Sequence, residues 1–203
     1  MVDTQNMEMD IDKILEELTL EEKIKMIHGC GLFKTEEVKR LNIPSLKMSD
    51  GPMGVRAEFK NDEWTSAGNS EDSVSYCPSN TAIASTWNRE LAGKAGSILG
   101  EEARGRGKDV ILGPGINIKR TPLCGRNFEY YSEDPYLVSE LVVPCIEGIQ
   151  QNDVAACVKH FAVNGQETER LWVNVELSER ALREIYLPGF KAAIKKAKSK
   201  TIM

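Results

Sequence analysis

The sequence predicts an α/β fold built on a parallel sheet, in its barrel version, and three observations carry that expectation. Short apolar runs alternate with amphipathic stretches of helical period, the pattern of strands joined by crossover helices. The run Val154 to Val158 is apolar throughout, as a strand covered on both faces must be. Each run also leads into residues able to do chemistry: the first into Asp50, the second into the segment that carries Arg126, the third into Lys159 and His160. In a (β/α) barrel, function gathers at the C-terminal ends of the strands, and all three fall there. A doubly wound sheet would bind ligands at strand ends too. However, no Gly-x-Gly-x-x-Gly turn opens a helix, and Gly105-Arg106-Gly107 lies at a helix end instead.

The elements follow in order. Ile11 to Ile27 places apolar residues at Ile11, Ile14, Leu15 and Leu18, then at Leu20, Ile24 and Ile27, with Thr19 followed by Glu22. This predicts two helices joined at a capping box. Gly29, Gly31 and Pro44 break the pattern, and Leu46-Lys47-Met48-Ser49 is the first strand, with Asp50 at its tip. Ala57 to Pro78 is polar and patternless, and reads as a long surface loop that covers a site or as a plain insertion. Asn88 caps a helix that runs through Leu91, Ala95, Ile98, Leu99 and Ala103 and ends at Gly105 and Gly107. Val110-Ile111-Leu112 is the second strand, followed by Gly113-Pro114-Gly115 and an irregular segment to Tyr131 with Arg120, Arg126 and Glu129. Asp134-Pro135 opens a helix with Leu137, Val138, Leu141, Val142, Cys145, Ile146 and Ile149 on one stripe, bent at Pro144. After the third strand, Ser178 caps a helix with Leu182, Ile185, Phe190 and Ile194 inward and a kink at Pro188. Lys200 to Met203 begins a fourth strand.

With 203 residues, 41% hydrophobic and 28% charged, the chain is long enough for one sizeable core. Its apolar stretches are far shorter than a membrane span, and Met1 to Asp10 is polar and acidic, so no membrane partner is expected and the expected location is the cytoplasm. Five scattered cysteines and two histidines point to reduced thiols, with no metal site and no cofactor. A net charge of -5, with no basic block except Lys195 to Lys200, argues against a nucleic-acid partner.

A buried ammonium needs carboxylates or ligand oxygens around it, because an unpaired buried charge costs several kcal/mol. Asp50, Arg56, Arg126, Lys159 and His160 around one mouth combine forked and point-like hydrogen-bonding groups, which suits a polyhydroxylated neutral ligand. Asp50 can accept two hydroxyl protons, the guanidiniums donate in pairs, and Lys159 can bridge vicinal oxygens. An ion-pair network bracing the barrel rim is the alternative reading of the same set.

These residues also carry a resemblance. Met48-Ser49-Asp50-Gly51-Pro52-Met53-Gly54-Val55-Arg56 resembles the first-strand signature of glycoside hydrolase family three β-glucosidases. Gly113 to Ile118, Gly125-Arg126-Asn127-Phe128-Glu129 and Ser132-Glu133-Asp134-Pro135 are similar to that family's second-strand loop, and Lys159-His160-Phe161 to its third. The resemblance implies a TIM-type barrel and hydrolysis of terminal nonreducing β-D-glucosyl residues with retention. It implies that Asp50, Arg56, Arg126, Lys159 and His160 hold the nonreducing-end sugar of a β-glucoside or oligosaccharide. Ala162-Val163-Asn164-Gly165 stands where the N-acetylglucosaminidase branch has Gly-His-Gly, so His160 is expected to bind substrate rather than shuttle protons. Retaining hydrolysis needs two carboxylates about 5 Å apart. The family's nucleophilic aspartate follows a later strand and its acid/base glutamate comes from a second domain, so both are expected beyond Met203. Residues 1–203 are thus read as the N-terminal part of a single barrel domain, about its first half, completed by another chain or a missing segment and inactive alone. A non-catalytic sugar-binding remnant and a Schiff-base lyase using Lys159 are the alternatives.

Overall fold

Four short strands lie side by side in sequence order: β1 Met48–Asp50, β2 Val110–Leu112, β3 Ala155–Val158 and β4 Thr201–Ile202. Every neighbouring pair is parallel, with Asp50 opposite Leu112 and Val158 opposite Ile202. The computed structural model describes residues 11–60, 63–68 and 73–203. Two helices, α1 Ile11–Glu17 and α2 Leu20–His28, precede β1. The crossovers are α3 Asn80–Ser85 with α4 Arg89–Gly105, then α5 Pro135–Gln150, then α6 Glu179–Ala181, a π turn at Leu182–Tyr186 and α7 Pro188–Lys195.

Because side chains alternate across a strand, each strand serves two faces. Ile111, Ala156 and Val158 join the main core with Val142, Ile146 and Ile149 of α5, Leu99 of α4 and Phe190 of α7. Val110, Leu112 and Cys157 form a second, smaller cluster with Phe33 and Met48. Asp50 is two residues beyond Met48, and Lys159 two beyond Cys157, so the period of two directs both to this second face. That is how the sheet brings them together.

The caps are where the sequence places them. Thr19 and Glu22 exchange the two bonds of a capping box, at 2.9 and 3.2 Å. Asn88, Asp134 and Ser178 each accept a backbone N–H at the start of their helices. α5 runs unbroken through Pro144. α3, capped by Ser79, was not expected from the sequence. Between Ala57 and Pro78 the described residues are irregular apart from a bridge between Phe59 and Ser66; residues 61–62 and 69–72 of that expected loop lie outside the described residues.

The buried helix faces are not simply the most apolar ones. α4 buries Ala92, Gly96, Leu99, Gly100 and Ala103, while Leu91 and Ile98 stand exposed. A Cβ on Gly96 would lie 2.1 Å from the Cys145 carbonyl oxygen, and one on Gly148 2.4 Å from that of Gly93, so α4 and α5 touch backbone to backbone. A row of small residues therefore wins the interface over the larger apolar ones. Ile185 and Ile194, expected inward, are likewise exposed; no residue of α1 or α2 is buried, and Leu18, which lies between them, is.

Candidate active-site cleft

β1 delivers Asp50, and a tight turn then swings Arg56 back over it. Gly51 makes this turn possible: its φ is +120°, and a Cβ there would sit 1.8 Å from the Gly54 carbonyl oxygen. Arg56 N–H donates to the Asp50 carbonyl at 3.0 Å, and Arg56 Nη1 lies 3.5 Å from Asp50 Oδ2. The guanidinium is also held over the rings of Phe59 and Trp64, at 4.9 and 5.6 Å from their centroids.

β3 delivers Lys159, which is 3% exposed. Its Nζ donates to Asp50 Oδ1 at 3.0 Å and lies 3.4 Å from Glu129 Oε2. The segment after β2 delivers Arg126. Its Nε donates to Glu167 Oε1 and its Nη1 to Glu129 Oε1, both at 2.7 Å. Nη1 also lies 3.1 Å from His160 Nε2, while His160 Nδ1 lies 2.9 Å from the Tyr130 hydroxyl. A guanidinium can only donate, so Nε2 is the acceptor and Nδ1 carries the proton of a neutral imidazole.

Four of the five sequence-predicted residues, Asp50, Arg56, Arg126 and Lys159, line one cleft of about 620 Å³ together with Glu129, Glu167, Met53, Tyr76 and Phe128. His160 stands behind Arg126 and lines an adjoining cleft of about 420 Å³ with Phe161 and Met203. Ala57, Val74, Ser75 and Tyr76, from the expected loop, wall the first cleft.

The electrostatics follow from these pairs. Burial pushes the Asp50 carboxyl up, but Lys159 and Arg56 outweigh it and hold the group below its usual range. Burial, then the charges of Arg126 and Lys159, lower His160 to about 4. Burial works against the charge on Arg126, yet Glu129 and Glu167 raise its pKa on balance.

Glu129, Glu167, Asn117, Asn80 and Tyr130 complete the site beyond the five residues expected from the sequence. Glu129 is 2% exposed and joins Arg126 to Lys159. Asn117 accepts the His160 N–H at 2.7 Å and donates to the carbonyls of His160 and Ala162. Asn80 donates to the Glu129 carbonyl at 2.7 Å. Two signals were available. Glu129 follows Arg126 by three residues, one turn of the short helix Asn127–Glu129, and Asn117 interrupts the apolar run Ile116 to Ile118, where a buried amide needs partners.

The sequence model of the glycosyl hydrolase family 3 N-terminal domain matches residues 7–203. The chain belongs to glycosyl hydrolase family 3. A beta-glucosidase of Bacteroides ovatus, BoGH3A, is 54% identical over 201 residues, which are 99% of this chain and 27% of that protein. An exo-alpha-(1->6)-L-arabinopyranosidase of Bifidobacterium longum is 45% identical over 193 residues, 93% of this chain and 25% of that protein. Beta-glucosidase 3B from Thermotoga neapolitana, solved in complex with glucose, superposes with a TM-score of 0.85 at 44% identity, over 95% of this chain and 28% of its own. The chain thus spans about a quarter of the length of the family 3 relatives it matches. Its four parallel strands are about half of the family's TIM-type barrel, in sequence order from the first.

Proposed function

We propose that this chain supplies the sugar-holding subsite of a retaining β-glucosidase acting on terminal nonreducing β-D-glucosyl residues. The observation that carries the reading is the linked set Arg56, Asp50, Lys159, Glu129 and Arg126, which joins three consecutive strand ends around one cleft. Asp50 is the acceptor for sugar hydroxyls, its side chain 29% exposed, with Lys159 and the two guanidiniums as donors. His160, neutral and donating to Tyr130, presents an acceptor that keeps Arg126 aimed at the ring.

The cleft's own carboxylates are poor choices for nucleophile or acid/base. Asp50 faces Lys159 and Arg56, Glu129 faces Arg126 and Lys159, and Glu167 faces Arg126 and Arg170. A carboxylate held by two cations has its lone pairs engaged, and the carboxyls of Asp50 and Glu167 are held below their usual range. We therefore assign the nucleophilic aspartate and the acid/base glutamate to the remainder by which the relatives exceed this chain, with residues 1–203 part of one barrel domain and that remainder its complement. The lyase alternative gains no support, since the Lys159 nitrogen is engaged by two carboxylates, Asp50 and Glu129.

The test uses the full-length protein with p-nitrophenyl β-D-glucopyranoside, reading the first-released anomer by proton NMR. Release of β-glucose before mutarotation is expected. Glucose binding without turnover would instead identify a non-catalytic sugar-binding protein. The arabinopyranosidase relative favours a second substrate, so p-nitrophenyl α-L-arabinopyranoside belongs in the same assay, and the ratio of the two kcat/KM values ranks the readings.

A further inference from the structure

Of the three carboxylates that line the cleft among the described residues, only Glu129 is almost wholly buried. Its side chain is 3% exposed, against 29% for Asp50 and for Glu167. It also joins two cations from different strand ends, through Oε1 to Arg126 and Oε2 to Lys159. Its backbone is pinned as well, with the Asn80 amide on its carbonyl at 2.7 Å. With each of its oxygens on a cation, this carboxylate serves the donors around it rather than the ligand. What it controls is the aim and the net charge of the groups that are.

We infer that Glu129 is a positioning and charge-selecting residue, which sets the directions of Lys159 and Arg126 and cancels positive charge they would otherwise turn on the ligand. The subsite therefore takes a neutral sugar ring and rejects one that bears a carboxylate. This rests on the sugar-holding reading above and narrows it to a charge class. Among the described residues, Arg56, Arg126 and Lys159 line the cleft with Asp50, Glu129 and Glu167, and Arg170 adds a further cation on Glu167. Removing one negative charge makes a partly water-excluded site more positive by one unit, where attraction for anions is stronger than at an open surface.

D-glucose and D-glucuronate differ only in the carboxylate at C6, so their dissociation constants, measured by calorimetry on the full-length protein, isolate the effect. Glu129→Gln should move the glucuronate-to-glucose affinity ratio about tenfold or more toward glucuronate, and added salt should shrink that shift. Glu129→Asp keeps the charge but shortens the reach, so it should weaken both sugars and leave the ratio near wild type. Glu167→Gln, at the accessible edge, should move the ratio in the same direction by less. An unchanged ratio in folded Glu129→Gln, or an equal shift in Glu129→Asp, overturns the inference. Where Glu129→Gln does not fold, the Glu129→Asp and Glu167→Gln pair decides: an unmoved ratio in Glu167→Gln, or a moved one in Glu129→Asp, is equally fatal. A wild-type protein that cleaves no glucoside, beside a Glu129→Gln variant that gains glucuronate, would remove the glucosidase reading and leave this one standing.

Discussion

Lys159 and Arg126 each place charge-assisted donors on the cleft, and such bonds contribute about 1.5–3 kcal/mol apiece. Lys159→Ala and Arg126→Ala in the full-length protein should therefore lower kcat/KM for an aryl glucoside by roughly 10²-fold or more; near wild-type rates would refute the subsite. The two should differ in stability. Lys159→Ala strands the buried Glu129 carboxylate with one cation fewer, and breaking a buried pair costs about 3–5 kcal/mol. Arg126 is more exposed, with 23% of its side chain accessible, and its loss should lower the melting temperature less. His160 carries a pH signature. Its pKa is lowered from 6.5 to about 4 by burial and by the neighbouring cations. The unfolded chain takes up a proton on this imidazole as pH falls below about 6.5, while the folded protein resists until about 4. Stability is thus complete above that window and declines as pH falls through it. Melting temperatures between pH 7 and 4.5 should show the decline, and His160→Gln should make it shallower; a variant with the wild-type slope would exclude the imidazole as its source.

At the scale of elements, the α4–α5 contact sets helix propensity against packing. Glycine inside a helix is less stable than alanine by about 0.5–1 kcal/mol, so propensity alone would favour replacement. A methyl on Gly96 or Gly148, however, would run into backbone carbonyl oxygen at 2.1 and 2.4 Å, and backbone cannot swing away as a side chain can. Gly96→Ala and Gly148→Ala should each destabilise by roughly 1–3 kcal/mol or more. Gly105, in the last turn of the same α4, has nothing within 4 Å of its Cβ position. Gly105→Ala should be neutral or stabilising by up to about 1 kcal/mol. Denaturant unfolding of the three variants checks the ordering, and a destabilised Gly105→Ala with a neutral Gly96→Ala would invert the argument.

The whole molecule presents more apolar surface than one closed core leaves. Ile11, Leu20, Ile24 and Ile27 are exposed along α1 and α2, as are Leu171 and Trp172 beyond β3, and β1 and β4 each offer a free edge within the four-stranded sheet. Soluble monomers tolerate contiguous patches of a few hundred Å² and protect their strand edges. An isolated polypeptide of these 203 residues should therefore self-associate and hydrolyse no p-nitrophenyl glucoside. Sedimentation velocity with the colorimetric assay checks both; a folded, active monomer would show that this half of the barrel holds the catalytic carboxylates after all.

What the sequence determined by itself is whatever depends on neighbours along the chain. Thr19, Asn88, Asp134 and Ser178 mark helix starts because a cap bonds N–H groups two or three residues away, and the apolar runs end at Asp50 and Lys159 because the charges themselves terminate the buried stretch. Tertiary structure alone decided the rest. Lys159 reaches Asp50 across 109 residues and Glu129 through a different crossover, so the register of three strands chose those partners. The buried face of α4 was settled by the shape of α5, which admits glycine where the apolar period pointed to Leu91 and Ile98. His160 took its tautomer from Arg126, 34 residues upstream and able only to donate. Local rules place a side chain at a strand tip; its partners, and hence its protonation and its aim, exist only once distant segments have packed.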